Sequence, residues 1–171
     1  MKKYYLVIGG PSFGKTSLVK GLEDEGYAAE YDDESRRLIE EITKKRKLDT
    51  GEPEFNWAIL QARIRQYEEA PDDVVFFDRG IPDGIAYMND KKMISEFMKE
   101  SKKYPYMKRV FVCPPWKGIF QTESGRNEAS YEEAALLHEK IVSVYKKLGY
   151  ELFEVPKWPL NKRIKFVIDN L

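Results

Sequence analysis

The sequence predicts an α/β fold in which a five-stranded parallel sheet is flanked by helices. Short apolar runs bounded by turn residues alternate along the chain with longer segments of helical periodicity. This alternation is typical of βαβ units, whose parallel strands are covered on both faces. Strands are therefore expected at residues 4–8, 27–31, 74–77, 109–113 and 150–155.

The segments between these runs predict the helices. Leu60, Ile64 and Tyr67 recur at helical spacing in one of them, and Gly149 stands where a glycine commonly ends a helix. Residues 114–130 form the longest stretch without periodicity, and a loop of that length is usually a lid or a binding loop. Helices are expected at residues 15–25, 34–46, 54–70, 82–88, 91–101, 131–148 and 161–170.

Length and composition limit the classes of protein to consider. The 171 residues suit one domain, spanning 1–171, and the 29 basic residues equal the 29 acidic ones, so the charge balance does not favour a nucleic-acid partner. The single cysteine, Cys113, excludes an intramolecular disulfide and is expected to be a buried strand thiol. No apolar run is long enough for a membrane span or a signal peptide, so a cytoplasmic location is expected.

A phosphate-binding motif follows the first predicted strand. Residues 9–16, Gly-Gly-Pro-Ser-Phe-Gly-Lys-Thr, satisfy G-x-x-x-x-G-K-[ST] between a strand and a helix. The glycines allow a tight turn that aims N–H groups inward, and Lys15 would face the β and γ phosphates of ATP. The Thr16 hydroxyl is expected to bind Mg²⁺. The predicted nucleotide-binding residues are Gly9, Gly10, Pro11, Ser12, Phe13, Gly14, Lys15, Thr16 and Ser17.

An acidic residue ends the third predicted strand. Asp78 follows four apolar residues, and in a parallel sheet it would lie at the carboxyl edge, where ligands bind. Its carboxylate is therefore a candidate to hold the metal or a metal-bound water, and the adjacent Arg79 is a candidate to contact a phosphate or the acceptor oxygen. The alternative is that Asp78 only caps a following helix.

A cluster of acids follows the second predicted strand at the same edge. It comprises Glu30, Asp32, Asp33 and Glu34. One carboxylate could deprotonate an acceptor hydroxyl, with Asp33 and Glu34 the better candidates, or the cluster could only cap the next helix. Arg37, one turn after Glu34, either binds an anionic substrate or pairs with that glutamate.

Further candidates lie in the later part of the chain. Arg126, in the predicted lid, could close over the transferring phosphoryl group. Pro156 and Trp158 follow the fifth strand, where an adenine ring would rest, although a structural turn is an equal alternative. His138, on a predicted amphipathic helix, is expected to be a surface or half-buried residue remote from the phosphate-binding loop.

Aromatic residues also open the third predicted helix. Phe55, Trp57 and Gln61 could stack on and hydrogen-bond a flat acceptor such as a base. Aromatic residues at helical spacing more often belong to the core, and this is the interpretation that we favour.

These motifs together resemble a family of kinase-like P-loop ATPases of the AAA type. It includes the ribosylnicotinamide kinase domain of a bifunctional bacterial regulator of NAD biosynthesis and a eukaryotic trafficking protein that binds phosphoinositides and GTP. The resemblance extends over nearly the whole chain. It implies a sheet of the nucleoside and nucleotide kinase type, with Asp78 and Arg79 at the Asp-Arg pair of those kinases and Arg126 in the lid. The matching segments are residues 9–16, 34–37, 77–83, 111–116, 126–128 and 149–156.

Two functions are compatible with these observations. The first is a kinase that uses ATP and Mg²⁺ to phosphorylate a small-molecule acceptor, either a hydroxyl or a phosphate. The second is a nucleotide-dependent switch that hydrolyses slowly and signals to a protein partner. A nucleic-acid 5′-end kinase ranks last, because the sequence has no basic stripe to follow a phosphate backbone.

Overall fold

The computed structural model describes residues 2–32, 37, 53–121 and 130–171. It contains one five-stranded sheet, in which all paired strands are parallel and the order is β2-β3-β1-β4-β5. The predicted fold class is thereby confirmed. The strands are β1 Lys3–Ile8, β2 Ala28–Glu30, β3 Val74–Asp78, β4 Arg109–Val112 and β5 Glu151–Glu154.

Five α-helices and two 3₁₀ helices accompany the sheet in the described residues. The α-helices are α1 Lys15–Asp24, α2 Pro53–Glu69, α3 Lys91–Lys103, α4 Tyr131–Lys147 and α5 Leu160–Ile168. The 3₁₀ helices are Ile81–Tyr87 and Lys117–Ile119. None of the described helices is long and apolar enough to cross a membrane.

The helix predicted at residues 82–88 is instead the 3₁₀ helix Ile81–Tyr87. The Asp83 carboxylate accepts a hydrogen bond from the Gly80 N–H at 2.8 Å and tightens the first turn. A Cβ at Gly84 would lie 2.3 Å from the Phe97 ring, so this segment packs closely against α3. The helix predicted at residues 34–46 lies outside the described residues, except for Arg37, which is helical and exposed.

The central strand β1 separates two apolar layers. Tyr5 and Val7 belong to a buried cluster on one face with Leu18 of α1. Leu6 and Ile8 belong to a second cluster on the other face. Because all paired strands are parallel, the residues that follow them lie at the same, carboxyl edge of the sheet.

The register of the sheet places two predicted site segments side by side. Val7 of β1 lies opposite Asp78 of β3 on one side and opposite Phe111 of β4 on the other. The loop after β1 therefore begins next to the last residue of β3.

The predicted cysteine burial is also confirmed, since Cys113, directly after β4, is fully buried.

Replacing Gly9 with alanine is expected to destabilise the fold strongly. Gly9 has φ 139°, and an added Cβ would lie 2.4 Å from the carbonyl oxygen of Cys113, a backbone atom that cannot turn away. We expect Gly9→Ala to lower the free energy of unfolding by about 3 kcal/mol or more, as measured by urea titration.

Gly26→Ala is the matched control for this substitution. Gly26 has φ 97° but nothing within 4 Å of an added Cβ, so it carries the left-handed strain without the clash. Gly26→Ala is expected to lower the free energy of unfolding by about 1 kcal/mol. Equal losses for the two variants would show that the contact between Gly9 and Cys113 is not tight.

Candidate active site

The loop between β1 and α1 has the backbone geometry of an anion-binding loop. Gly14 adopts a left-handed conformation, with φ 82° and ψ 22°, directly before α1. No side chain in the described residues caps this helix, and its first turn contains no acidic residue. The first N–H groups of α1 and the positive end of its dipole are therefore available to a bound anion. Ser12 stabilises the loop by donating its hydroxyl to the Gln121 carbonyl at 2.8 Å.

Lys15 lies inside this loop, and only 4% of it is exposed. Its Nζ donates to the Gly10 carbonyl at 2.6 Å. Burial, together with the nearby Arg79 charge, lowers the pKa of Lys15 to about 8, while Asp78 acts in the opposite direction. The ammonium is therefore poorly compensated in the free protein, and a phosphate next to it would favour its charged form.

Thr16 and Asp78 form a pair at the start of α1. The Thr16 hydroxyl donates to Oδ2 of Asp78 at 2.5 Å. Oδ1 of Asp78 is buried and has no hydrogen-bond partner in the described residues. A hydroxyl and an unpartnered carboxylate oxygen are hard ligands of the type that Mg²⁺ prefers. The described residues contain no group of three or more His, Cys, Asp or Glu side chains that could hold a metal ion.

Arg79 is held in a strained conformation by its neighbours. Its φ is 79°, which is unusual for a residue with a side chain. The guanidinium donates to the Tyr87 hydroxyl at 2.7 Å, and its Nε lies 3.6 Å from Oδ2 of Asp32. Arg63 donates to Oδ1 of the same aspartate at 3.0 Å and to the Gly80 carbonyl at 2.8 Å.

Asp32 therefore lies between two guanidinium groups, which favour the ionised form of its carboxylate. Asp33 and Glu34, the carboxylates predicted to act as the base, lie outside the described residues. Their role therefore remains a prediction.

The segment after Arg79 is anchored by a buried hydrogen-bond network. Oδ2 of Asp83 accepts from the Gly80 N–H at 2.8 Å and from the Tyr145 hydroxyl at 2.5 Å. The Ile81 N–H donates to the Tyr106 hydroxyl at 3.3 Å.

The interpretation of Asp78 as a helix cap is wrong, because it is the last residue of β3 and Gly80 stands at the start of the 3₁₀ helix.

His138 is part of this site, contrary to the sequence-based expectation that it lies far from the loop. Its Nδ1 accepts a hydrogen bond from the Gly10 N–H at 3.2 Å. Its ring packs edge-on against Phe13 at 5.9 Å between centroids, and only 7% of the residue is exposed. Helical spacing could have revealed this, since Ala134, His138 and Ile141 share the buried face of α4.

Arg163 of α5 is a second site residue that the sequence interpretation missed. Its Nη2 donates to Sγ of Cys113 at 3.2 Å and to the Gly14 carbonyl at 3.4 Å. Its guanidinium lies 5.8 Å from the centre of the Trp116 ring. Helical spacing places Arg163 on the buried face of α5 with Val167, but its contacts could not be predicted because its partners are distant along the chain.

A cleft of about 500 Å³ extends from the loop. Its lining combines the charged and hydroxyl groups of Lys15, Thr16 and Arg79 with the aromatic rings of Trp116 and Trp158. Its lining residues are Ser12, Gly14, Lys15, Thr16, Ser17, Arg79, Trp116, Ile119, Gln121, Trp158, Pro159, Leu160 and Arg163.

Some of the predicted ligand contacts are not among the residues that line this cleft. Pro156 does not line the cleft, and its carbonyl instead accepts from the Trp158 N–H at 2.8 Å in a tight turn that leaves Trp158 47% exposed. The Phe13 side chain belongs to the core, because it packs with other aromatic rings.

Phe55 is buried as expected, whereas Trp57 is 48% exposed, so its assignment to the core is wrong. Arg126, with residues 122–129 of the predicted lid, lies outside the described residues.

Mild acid is expected to destabilise the protein through His138. Burial, reinforced by the Lys15 charge, lowers the pKa of His138 to about 4 from its ordinary 6.5. Between these two pH values the unfolded chain binds more protons than the folded one, so stability falls as the pH decreases from 6.5 to 4. We expect this histidine to account for about 2 kcal/mol of that loss.

Urea titrations of the native protein and of His138→Asn at several pH values measure this contribution. Carboxylates contribute to acid unfolding in both proteins, so the difference between the two curves isolates the histidine. Parallel curves from pH 7 to pH 4 would contradict the prediction.

Comparison with known proteins gives one family and one fold. The model of a family described as AAA domain, AAA_28, matches residues 4–163. No curated protein matches the chain significantly. Solved structures match it at low sequence identity, and such likeness supports the fold rather than a particular reaction.

Three of these structures illustrate the match. Deoxyadenosine kinase from M. mycoides is 14% identical with a TM-score of 0.70, and the alignment covers 98% of this chain and 97% of that one. NadR protein in complex with NR is 19% identical with a TM-score of 0.67, covering 98% of this chain and 50% of that one. Thymidylate kinase from Candida albicans is 10% identical with a TM-score of 0.70, covering 99% and 90%.

Proposed function

Because the chain belongs to the AAA_28 family of AAA domains, we propose that it is a small-molecule kinase that transfers the γ-phosphoryl group of ATP. The observation that carries this proposal is the convergence of three groups on one cleft. Lys15, the Thr16–Asp78 pair and Arg79 meet beside the uncapped N-terminus of α1. Such a cluster suits phosphoryl transfer, in which positioning and charge neutralisation supply most of the rate.

The residues that line the cleft support an orientation for the donor. Its phosphates would lie over the N-terminus of α1, where Lys15 would exchange its Gly10 contact for the β and γ phosphates. Its base would then lie against the aromatic residues of the lining, Trp116 and Trp158.

Thr16 and Asp78 fit a Mg²⁺ ion bound with the nucleotide. The unpartnered Oδ1 of Asp78 and the adjacent hydroxyl are the groups that would hold the ion or its water ligands. When bound, the ion would neutralise charge on the β and γ phosphate oxygens.

The acceptor would enter on the side of Arg79. An acceptor oxygen attacks the γ-phosphorus, the bond to the β,γ-bridging oxygen breaks, and ADP leaves with the electron pair. The acceptor proton passes to a carboxylate, for which Asp33 and Glu34 are the candidates. Arg79 would contact the transferred group or the acceptor, and Arg126 would cover it from the lid. The acceptor is a nucleoside, a nucleotide or a related hydroxyl or phosphate compound.

Two measurements test this function. Thermal shift with Mg²⁺ and a non-hydrolysable ATP analogue reports nucleotide binding, because a ligand at 100 times its Kd adds about 2.7 kcal/mol. ADP release from MgATP is then followed with a panel of nucleosides, nucleotides and pyridine ribosides. Lys15→Met serves as the control for contaminating kinases.

The outcomes separate the two functions that the sequence allows. The kinase proposal is supported if one acceptor raises ADP release well above the water background and its phosphorylated product is recovered. A nucleotide shift without any acceptor response overturns the kinase in favour of a nucleotide-dependent switch. The absence of a nucleotide shift overturns both.

A further inference from the structure

Gly10 is held through both of its backbone polar groups by side chains. Its carbonyl accepts the Lys15 ammonium at 2.6 Å, and its N–H donates to Nδ1 of His138 at 3.2 Å. Lys15 comes from the start of α1, whereas His138 is 128 residues away in the chain, on α4. The two contacts therefore tie the loop to different parts of the fold.

The helix α4 also fixes Gly10 sterically. A Cβ on Gly10 would lie 2.6 Å from the Ala134 carbonyl, one turn before His138 on the same helix. The His138 ring packs against Phe13 of the loop, and both residues are buried. Because the hydrogen bond to Gly10 is shielded from water, removing the acceptor would leave a buried N–H unsatisfied.

The two contacts differ in what nucleotide binding would do to them. A bound phosphate would draw the Lys15 ammonium away from the Gly10 carbonyl, since the charged form of Lys15 is poorly compensated in the free protein. The Gly10 N–H is already bonded to Nδ1 of His138 in the free protein, so this contact does not have to break when Lys15 turns to a phosphate. It would be the side-chain contact that still fixes the Gly9–Gly10 peptide plane.

We propose that His138 is a positioning residue of the phosphate-binding loop, whose unprotonated Nδ1 keeps Gly10 in its nucleotide-binding conformation when Lys15 turns to a phosphate. This inference rests on the proposed function only in requiring that a nucleoside triphosphate binds at this loop. His138 acts through Gly10 and does not touch the nucleotide.

Three substitutions separate the effect of the hydrogen-bond acceptor Nδ1 from the effect of the volume of the ring. His138→Asn places an amide oxygen near the position of Nδ1 and keeps an acceptor for the Gly10 N–H. His138→Leu fills a similar volume without an acceptor. Leu136→Asn is the control, because Leu136 is 61% exposed on the same helix.

The Kd of the magnesium complex of a non-hydrolysable ATP analogue is measured for each variant by calorimetry at pH 7.5. All measurements are made at a temperature below every unfolding transition. We expect His138→Leu to weaken binding about tenfold, the equivalent of one lost buried hydrogen bond. His138→Asn and Leu136→Asn should stay within about twofold of the native protein.

Stability and affinity distinguish positioning from a packing role. If His138→Leu lowers the melting temperature but binds the analogue with native affinity, the proposal is overturned. It is also overturned if His138→Asn binds as weakly as His138→Leu, because the acceptor would then not matter.

The ring itself provides a spectroscopic test that needs no substitution. His138 is the only histidine in the sequence, so its imidazole signals are assigned without ambiguity. Two-bond ¹H–¹⁵N correlation at pH 7.5 should show the tautomer with the proton on Nε2, both free and with the analogue bound. A proton on Nδ1 in either state would refute the inference. If the native protein binds no analogue, the proposed function fails instead, and the free-state tautomer still tests the contact with Gly10.

Discussion

Lys15→Met is expected to lower the turnover of the acceptor-dependent reaction at least about 1,000-fold and to weaken nucleotide binding strongly. The ammonium lies against the loop, where its Nζ is 2.6 Å from the Gly10 carbonyl oxygen. Methionine keeps an unbranched apolar stem of similar length and removes the charge together with the N–H donors of the ammonium. The loss therefore reports the combined electrostatic and hydrogen-bonding contribution of Lys15 to the transferring phosphoryl group.

The same substitution should not destabilise the free protein. Burial lowers the pKa of Lys15, which means that the fold disfavours its charge before a ligand arrives. We expect the melting temperature of Lys15→Met to equal or exceed that of the native protein, as is common when a binding charge is removed.

Kinetics and thermal unfolding of one preparation measure both effects. Lys20→Ala, which removes an exposed lysine of the same helix, is the control and should change neither quantity. If Lys15→Met retained a tenth or more of native turnover, the phosphates would have to be bound elsewhere.

The parts of the molecule that were predictable from sequence are those fixed by short-range patterns. A strand, a glycine-rich turn and a helix follow one another within the first 24 residues, so their mutual positions depend on local geometry. The position of Asp78 at the edge of the sheet was also predictable, because the carboxyl ends of neighbouring parallel strands meet at one edge.

The contacts that were missed join residues far apart in the chain. His138 meets Gly10 across 128 positions, and Arg163 meets Gly14 across 149. Their side chains resemble ordinary helix residues until α4 and α5 pack beside the loop. The pairing of Asp32 with Arg63 and Arg79 was missed for the same reason, since it requires α2 to be placed against the end of β2.

The aromatic residues show a different limit of sequence patterns. Periodicity placed Phe55 in the core correctly, but it gave the same assignment to Trp57, which is 48% exposed. Which face of a helix is covered depends on the neighbouring elements, and hydrophobicity alone does not identify the edge of that face.

Asp78→Asn is expected to reduce turnover at least about 100-fold at ordinary Mg²⁺ concentrations. The substitution preserves shape, and the amide oxygen can still accept from the Thr16 hydroxyl that now lies 2.5 Å from Oδ2. It removes the negative charge and replaces one carboxylate oxygen with a donor. The substitution should weaken Mg²⁺ binding more than it lowers the stability of the fold, because Oδ1 is buried without a partner in the described residues.

A titration of turnover with Mg²⁺ shows which role the carboxylate has. Asp24→Asn, at an exposed position at the end of α1, is the matched control. If high Mg²⁺ restores much of the activity of Asp78→Asn, the carboxylate acts mainly by holding the ion. If saturating Mg²⁺ leaves the loss unchanged while the nucleotide still binds, the charge of Asp78 acts on Lys15 and Arg79, whose pKa values it raises in the free protein. Native turnover at every Mg²⁺ concentration would remove Asp78 from the site, and with it the argument that the carboxyl edge of β3 supplies a metal ligand.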